Sequence, residues 1–556
     1  MASKRRWGST LAKVAAGYGT AEGVCYVYHR RSDARAASCD PRPRQCKALE
    51  DAEYGRMFLD LARCSPQSNT KESEACARFV RHGFFGHPTE QLSPEAIQRW
   101  LEGHTMFPKR DRASQEHDAG HVDSHHTDDS CTLKESAAML HTLLQSHHSE
   151  KQSDSQEILP LDGGSTGSPI ATAVPPFFSY QKGDISTWYK PLIVKAIIEA
   201  QRQFARLRLL RWGFREMQDD CLPQATFWLK AGDSDDSTPP LVILHGYGRG
   251  LASPLFSELL PPLGNRPVLI VECPWLLVTR VPAPDDIVHT PTVREMARGI
   301  TEFLGRHRAD FRGGQSADLD AWEVDILGHS FGSAVASSLV REMDLQRASG
   351  NSTSFLTVPS VNKVVLLDPM CFAPGMTKQA QLLRRPASEV AQELLEEFTP
   401  NEGGHSLLEA LSCCISRPDP SETYLGHDTA AASLGRRRWI LFQTYFFNYF
   451  IFRDIMYSWV NSRVLHGAEY LDRGLLRSMN RQGRVLTVLA ETDLMIAADL
   501  LREELEGEVP SECRSQGAGV LWLPVVGHGA CQHRQEVWDG IRLFLSPASV
   551  DSEKKK

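Results

Sequence analysis

Between Leu241 and Leu523 the chain carries six short runs rich in leucine and β-branched residues: Leu241 to Leu244, Val268 to Val271, Val324 to Leu327, Val364 to Leu367, Val485 to Leu489 and Val520 to Leu523. None alternates apolar with polar residues, as a strand with one wet face would. Strands that are apolar nearly throughout, separated by helix-like segments, require a largely parallel sheet covered on both faces. More than a hundred residues separate the fourth run from the fifth. A helical cap inserted into the sheet is expected there.

The third run flows into Gly328-His329-Ser330-Phe331-Gly332, after which Ser333, Ala334, Ala336 and Ser337 open a helical pattern. Glycines two before and two after a serine let the backbone turn sharply from strand to helix and leave the hydroxyl exposed above the sheet. Ser330 is therefore the candidate nucleophile. Chance could place this spacing in a chain with 40 glycines, but not readily between a strand and a helix.

A serine that attacks a carbonyl needs a base, an acid to orient the base, and amide donors for the oxyanion. His528 follows the last apolar run and sits between Gly527 and Gly529, so its loop can reach the top of the sheet. His245, His329 and His533 are less suitably placed. Two aspartates compete for the acid: Asp493 follows the fifth run, and Asp368 follows the fourth. The chain order serine, aspartate, histidine favours Asp493, with Asp368 the alternative acid and Glu491 an outside candidate. The expected oxyanion donors are the amides of Phe331 and of Tyr247, in His245-Gly246-Tyr247-Gly248-Arg249-Gly250. No lysine-serine or lysine-threonine pair follows those glycines, which weighs against a phosphate loop.

These residues resemble the α/β-hydrolase fold family over about residues 235 to 546. Within it the chain is similar to a poorly characterised group of fungal and protist α/β-hydrolases. The marks are the motif at 245 to 250, Gly-His-Ser-Phe-Gly at 328 to 332, and Leu-Leu-Asp-Pro-Met-Cys-Phe at 366 to 372. Weaker similarity covers Phe84 to Leu101 and Lys190 to Phe214. The resemblance implies an α/β-hydrolase fold with an N-terminal helical region, which in that group often includes membrane helices. Here Tyr18 to Arg30 would match the end of such a helix, and the apolar length before it is missing. Peripheral rather than integral membrane contact is the expectation.

The remaining chain divides by composition. Residues 1 to 108 form a helical region, with patterns at Leu49 to Cys64, Glu74 to Phe84 and after Ser93-Pro94. Residues 109 to 169 are rich in His, Ser and Asp and bury too little to order themselves, and their irregular histidines do not read as a metal site. Residues 170 to 234 hold a basic amphipathic helix, Ser186 to Arg215, with Ile193, Ile197, Ala200, Phe204 and Leu207 on its apolar face. That helix could lie on an anionic membrane or pack on the hydrolase body. The core is expected at 235 to 371 and 481 to 546, the cap at 372 to 480, and a charged tail at 547 to 556. Within the cap, the aromatic stretch Trp439 to Phe452 is expected to line an acyl pocket, pack the cap or touch lipid.

A net charge of -8 and the absence of any basic recognition module weigh against nucleic-acid binding. Thirteen scattered cysteines without a CxxC pair point to reduced thiols, hence to a reducing compartment, cytoplasmic or on a membrane surface. No transmembrane helix is expected. The expected activity is cleavage of carboxylic esters with apolar, lipid-like acyl groups, with no metal or organic cofactor. Acyl transfer through the same residues and a non-catalytic scaffold are the alternatives. An aspartate in place of Ser330 would have suited epoxide or haloalkane opening instead.

Overall fold

The computed structural model describes residues 187–546 except 233–237, 280–289, 312–321, 349–357, 373–385, 399–405, 417–429, 461–471, 473 and 525; it also describes 18, 20–27, 29–32, 34, 92–94, 97, 138, 141 and 142. The chain forms two compact units, one of residues 1–39, 184–465 and 469–556, the other of 40–183 and 466–468. In the second unit Pro94 and Ile97 are helical, as are Ala138, His141 and Thr142. The helices expected at 49–64 and 74–84, most of the segment 109–169, and the tail 547–556 lie outside the described residues.

The first unit is built on one sheet of eight strands: β1 (Arg215–Met217), β2 (Thr226–Lys230), β3 (Leu241–Leu244), β4 (Val268–Glu272), β5 (Glu323–His329), β6 (Ser360–Leu367), β7 (Val485–Ala490) and β8 (Gly519–Leu523). Their order is β1-β2-β4-β3-β5-β6-β7-β8; β2 runs antiparallel to both neighbours, and every pair from β4 onward is parallel. Every residue of β3, β4 and β7 is buried, so both faces of the sheet are covered there. This is the α/β-hydrolase fold.

The connections are helical: α1 (Leu192–Arg211) precedes β1, α2 (Pro254–Leu259) follows β3, α3 (Val293–Arg306) precedes β5, and α4 (Phe331–Ala348) follows it. Thr292 starts α3 with a reciprocal cap, its hydroxyl accepting from Glu295 N–H at 3.2 Å while the Glu295 carboxylate accepts from Thr292 N–H at 2.7 Å. Between β6 and β7 lie α5 (Ala387–Phe398), α6 (Leu407–Ser416), α7 (Ala430–Phe446), a π-helical turn (Phe447–Phe452), α8 (Ile455–Trp459) and α9 (Leu475–Arg481). The chain ends in α10 (Ala498–Glu506) before β8 and α11 (Gln535–Leu545) after it. The helices α5 and α6 both pack on α7, and Arg437 joins α7 to Glu409 of α6 through bonds of 2.7 and 3.0 Å.

The helix expected over 186–215 is shorter, and its charged face is the one that meets the body. It ends at Arg211 because Gly213 takes a left-handed conformation (φ 83°), which lets the chain reverse into β1. Its buried residues are Lys195 and Leu209, whereas Ile193, Ile197, Phe204 and Leu207 are exposed. Charge faces inward because buried acids receive it: Arg202 holds Glu272 with two bonds, 2.7 and 2.9 Å, at the end of β4.

The sheet order also creates the crevice. The chain leaves β3 toward β4, then crosses back to place β5 on the other side of β3. The carboxyl ends of β3 and β5 are thus neighbours, with Leu244 opposite Gly328. Loops that leave a parallel sheet at such a reversal diverge and open a binding crevice.

Candidate active site

Ser330 stands alone between the end of β5 and the start of α4, with φ of 51°. A left-handed conformation is costly for a residue with a Cβ and persists only where the surroundings hold it. Here Ser330 N–H donates to the Leu367 carbonyl (2.9 Å), while its own carbonyl accepts from the amide (2.8 Å) and hydroxyl (2.5 Å) of Ser333. The flanking glycines are required by close contact. A Cβ at Gly328 would lie 2.7 Å from the Gly332 carbonyl oxygen, and one at Gly332 would overlap the carbonyl oxygen of Leu244. Because that obstacle is backbone, Gly332→Ala is expected to cost about 1–3 kcal/mol, toward the upper end. Denaturant titration should show a lower midpoint with unchanged slope; an unchanged midpoint would contradict this packing.

Ser330 Oγ lies 2.8 Å from His528 Nε2, and His528 Nδ1 lies 2.8 Å from Asp493 Oδ2. A carboxylate at Nδ1 keeps the proton on that nitrogen, which leaves Nε2 to accept from the serine hydroxyl. The other Asp493 oxygen accepts from Met495 N–H (2.6 Å) and Ile496 N–H (3.1 Å), fixing the carboxylate's orientation. All three side chains are buried, with Ser330 and His528 each 5% exposed and Asp493 1%. Burial works against a charged imidazole at His528, but the Asp493 carboxylate, helped by Asp368, outweighs it and raises the pKa above the ordinary value.

Asp368 has a different set of partners. Its Oδ2 accepts from Gly529 N–H at 2.7 Å and from the Cys531 thiol at 3.2 Å, so it braces the loop that carries His528. Its Oδ1 is buried with no hydrogen-bond partner, and its backbone is left-handed (φ 44°). Burial raises its pKa; the His528 charge pulls the other way, and Asp493 adds to the rise. Asp368, Asp493 and His528 have ligand-type atoms within 4.8 Å of one another. Apart from the Asp368 Oδ1, these donors are spent on each other and on N–H and S–H groups, so the cluster is suited to proton handling rather than to holding a cation.

The loop after β3 runs beside the serine, since a Cβ at Gly246 would lie 2.9 Å from Ser330 Cβ. His245 Nε2 accepts from Cys273 N–H (3.1 Å), so Nδ1 carries the proton and donates to the Gly246 carbonyl at 2.7 Å. Burial keeps this imidazole's pKa low. A trans peptide with its carbonyl pinned has its N–H, that of Tyr247, aimed the opposite way. Phe331 is the first residue of α4, where helix amides have no intrahelical acceptor. His329, adjacent to the serine, is also kept neutral, by burial first and then by His528 and His245, and its Nε2 meets Gln532 Nε2 at 2.7 Å. It does not compete for the serine.

Lys190, Asp454 and Gln443 contribute with no signal in the sequence. The Tyr247 hydroxyl donates to Asp454, which also receives Lys190 Nζ at 3.0 Å and caps α8 through Met456 N–H (3.0 Å). Lys190 and Asp454 are both buried, so the amide loop is tied to the segment between β6 and β7 and to the chain ahead of α1. Gln443 of α7 is 1% exposed with neither end of its amide hydrogen-bonded, and it fills the space a side chain at Gly527 would need. The aromatic stretch faces inward: Trp439, Phe442 and Phe452 are buried, Phe442 stacks on Phe446 at 5.1 Å, and the Phe447 ring lies edge-on to His528 at 6.0 Å. Met370 Sδ, 3.8 Å from Ser330 Oγ, adds to the apolar surroundings of the hydroxyl.

No protein-family model matches this chain, and no curated protein does. Solved structures do. The naproxen esterase of Bacillus subtilis is 13% identical with a TM-score of 0.32, the match covering 64% of this chain and 98% of that one. Carboxylesterase CesB of the same organism is 13% identical with a TM-score of 0.33, covering 63% and 98%. A bacterial membrane phospholipase A is 15% identical with a TM-score of 0.32, covering 63% and 91%.

Proposed function

We propose that this protein is a serine hydrolase that cleaves carboxylic esters bearing apolar acyl chains. The observation that carries this reading is the unbroken chain Ser330 Oγ, His528, Asp493, with both links at 2.8 Å, on a left-handed turn at the sheet crevice. Ser330 Oγ bonds to the ester carbonyl carbon as its proton passes to His528 Nε2, and the carbonyl π pair moves onto oxygen. The amides of Phe331 and Tyr247 receive that oxyanion. Collapse breaks the bond to the alcohol, which leaves with the proton from Nε2. Water then repeats the sequence on the acyl-enzyme, releasing the carboxylic acid and restoring the serine. Asp493 stays ionised and holds the imidazole in the required tautomer.

The preference for apolar acyl chains is supported by Phe447 beside His528 and Met370 beside Ser330. Each methylene taken out of water contributes ~0.8 kcal/mol, up to about fourfold in kcat/KM until the pocket is full. A series of p-nitrophenyl esters from acetate to dodecanoate should therefore show rising kcat/KM and then a plateau. Constant or falling values along the series would refute the apolar acyl site. A fluorophosphonate should label the folded wild-type chain at Ser330; failure to label would sink the hydrolase reading itself.

A further inference from the structure

Fourteen large apolar side chains are exposed among the described residues, and ten of them lie in just two stretches, 18–27 and 188–210. On α1 they form a regular stripe: Ile193 (55% exposed), Ile197 (54%), Phe204 (64%) and Leu207 (64%), with Ala200 between and Arg211 at the end. Steps of four, seven, eleven and fourteen residues keep these side chains on one face of a helix. The opposite face, Lys195, Arg202 and Leu209, meets the protein. The helical segment described at 18, 20–27, 29–32 and 34 adjoins the start of α1. There the Glu22 carboxylate accepts from Leu192 N–H at 3.1 Å, and Tyr26 and His29 both pack on Tyr189 with ring centres 5.5 Å apart. It brings Val24 and Val27, 58% and 49% exposed, to the same end as Trp188, 51% exposed. Phe204 also borders a groove of about 370 Å³ between α1 and the loop after β3, lined by Leu209, Leu251 and Phe256.

We infer that this face, the outward stripe of α1 with the adjoining helical segment that carries Val24 and Val27, docks on an anionic lipid surface, lying in the interface without crossing it. Charge decides the occupant. Of the cations on α1, Lys195 and Arg202 face the protein and Arg206 pairs with Glu216 at 2.7 Å, so the outward charge is that of Arg211 at the end of the stripe, joined by Arg30 and Arg31. Arg30, Arg31 and Arg211 are exposed around the apolar residues. Apolar side chains on one face with arginines beside them match a boundary between acyl chains and acidic headgroups. A second copy meeting the same face across a two-fold axis would bring arginines against arginines, which opposes pairing. No helix among the described residues is long and apolar enough to cross a membrane. The inference does not depend on the chemistry at Ser330.

The test is flotation of the full chain with vesicles of phosphatidylcholine alone and of phosphatidylcholine mixed with phosphatidylserine. Wild type should bind the mixed vesicles at least about tenfold more tightly than the neutral ones, less so as salt rises, and the double variant Phe204→Glu/Leu207→Glu should lose about tenfold or more. Both positions are exposed, so the variant should melt with wild type, and Ser330→Ala should float as wild type does. Absence of wild-type binding to mixed vesicles overturns the inference, as does unchanged binding of the double variant. Dimerisation in the ultracentrifuge that the double variant abolishes, without vesicle binding, would assign the face to a second copy instead.

Discussion

Ser330→Ala is expected to lower kcat/KM for the best ester about 10⁴–10⁶-fold, with His528→Ala close behind and the double variant scarcely worse than either alone. The reason for non-additivity is geometric. The imidazole acts only on the hydroxyl 2.8 Å away, so removing one partner leaves the other without work. What survives should be the contribution of the amides at Phe331 and Tyr247 and of substrate binding, which do not need the serine. KM should move little, because the hydroxyl contributes to the transition state rather than to holding the acyl chain. The structural cost is also expected to be small: among the described residues Ser330 Oγ bonds only to His528 and Met370, and the turn is held by backbone bonds to Leu367 and Ser333 that alanine retains. Equal activity in wild type and Ser330→Ala would place the nucleophile elsewhere or remove the hydrolase reading. A melting temperature far below wild type would mean the loss reports folding instead.

Much of the core was legible because parallel strands buried on both faces leave continuous apolar runs, and all six runs are strands. The two antiparallel strands were not. β1 is three residues, Arg-Glu-Met, mostly exposed, and β2, Thr-Phe-Trp-Leu-Lys, holds only three apolar residues in a row, too short a run to tell strand from helix. Strands this short carry no periodicity and are specified by pairing, β1 with β2 and β2 with β4. The orientation of α1 could not be read either, since its amphipathic pattern names two faces without saying which is wet. Arg202 turns inward only because Glu272, seventy residues later, waits at the end of β4. The tie from Tyr247 through Asp454 to Lys190 spans 264 residues of sequence between its last two members. Local chemistry gives no hint of such a contact. The nucleophile turn is the opposite case: its glycines answer to atoms within a few residues or on the adjacent strand, so the constraint is written in the motif itself.

The choice between Asp493 and Asp368 was open in the sequence for a structural reason: β6 and β7 are neighbours, so loops leaving both reach the same histidine. In the structure Asp493 meets His528 Nδ1, whereas Asp368 meets the Gly529 amide and the Cys531 thiol. Asp493→Asn should lower kcat about 10³–10⁴-fold, because an amide at Nδ1 no longer enforces the tautomer that leaves Nε2 free to accept the serine proton. Asp368→Asn, whose oxygen can still accept from Gly529 N–H, should keep activity within about tenfold. The pH profile distinguishes the two further. Only neutral His528 can take the proton, so activity rises with pH through its pKa, and the carboxylates raise that pKa, Asp493 more than Asp368. Removing either negative charge therefore shifts the rising limb to lower pH. For Asp368→Asn the shift should be small and the plateau nearly kept; for Asp493→Asn the limb should move further while the plateau collapses. Collapse in Asp368→Asn with a healthy Asp493→Asn would reverse the assignment. Collapse in both would mean that the brace at Gly529 is as necessary as the carboxylate at Nδ1, since a histidine displaced by an ångström is no longer in line to accept from Ser330.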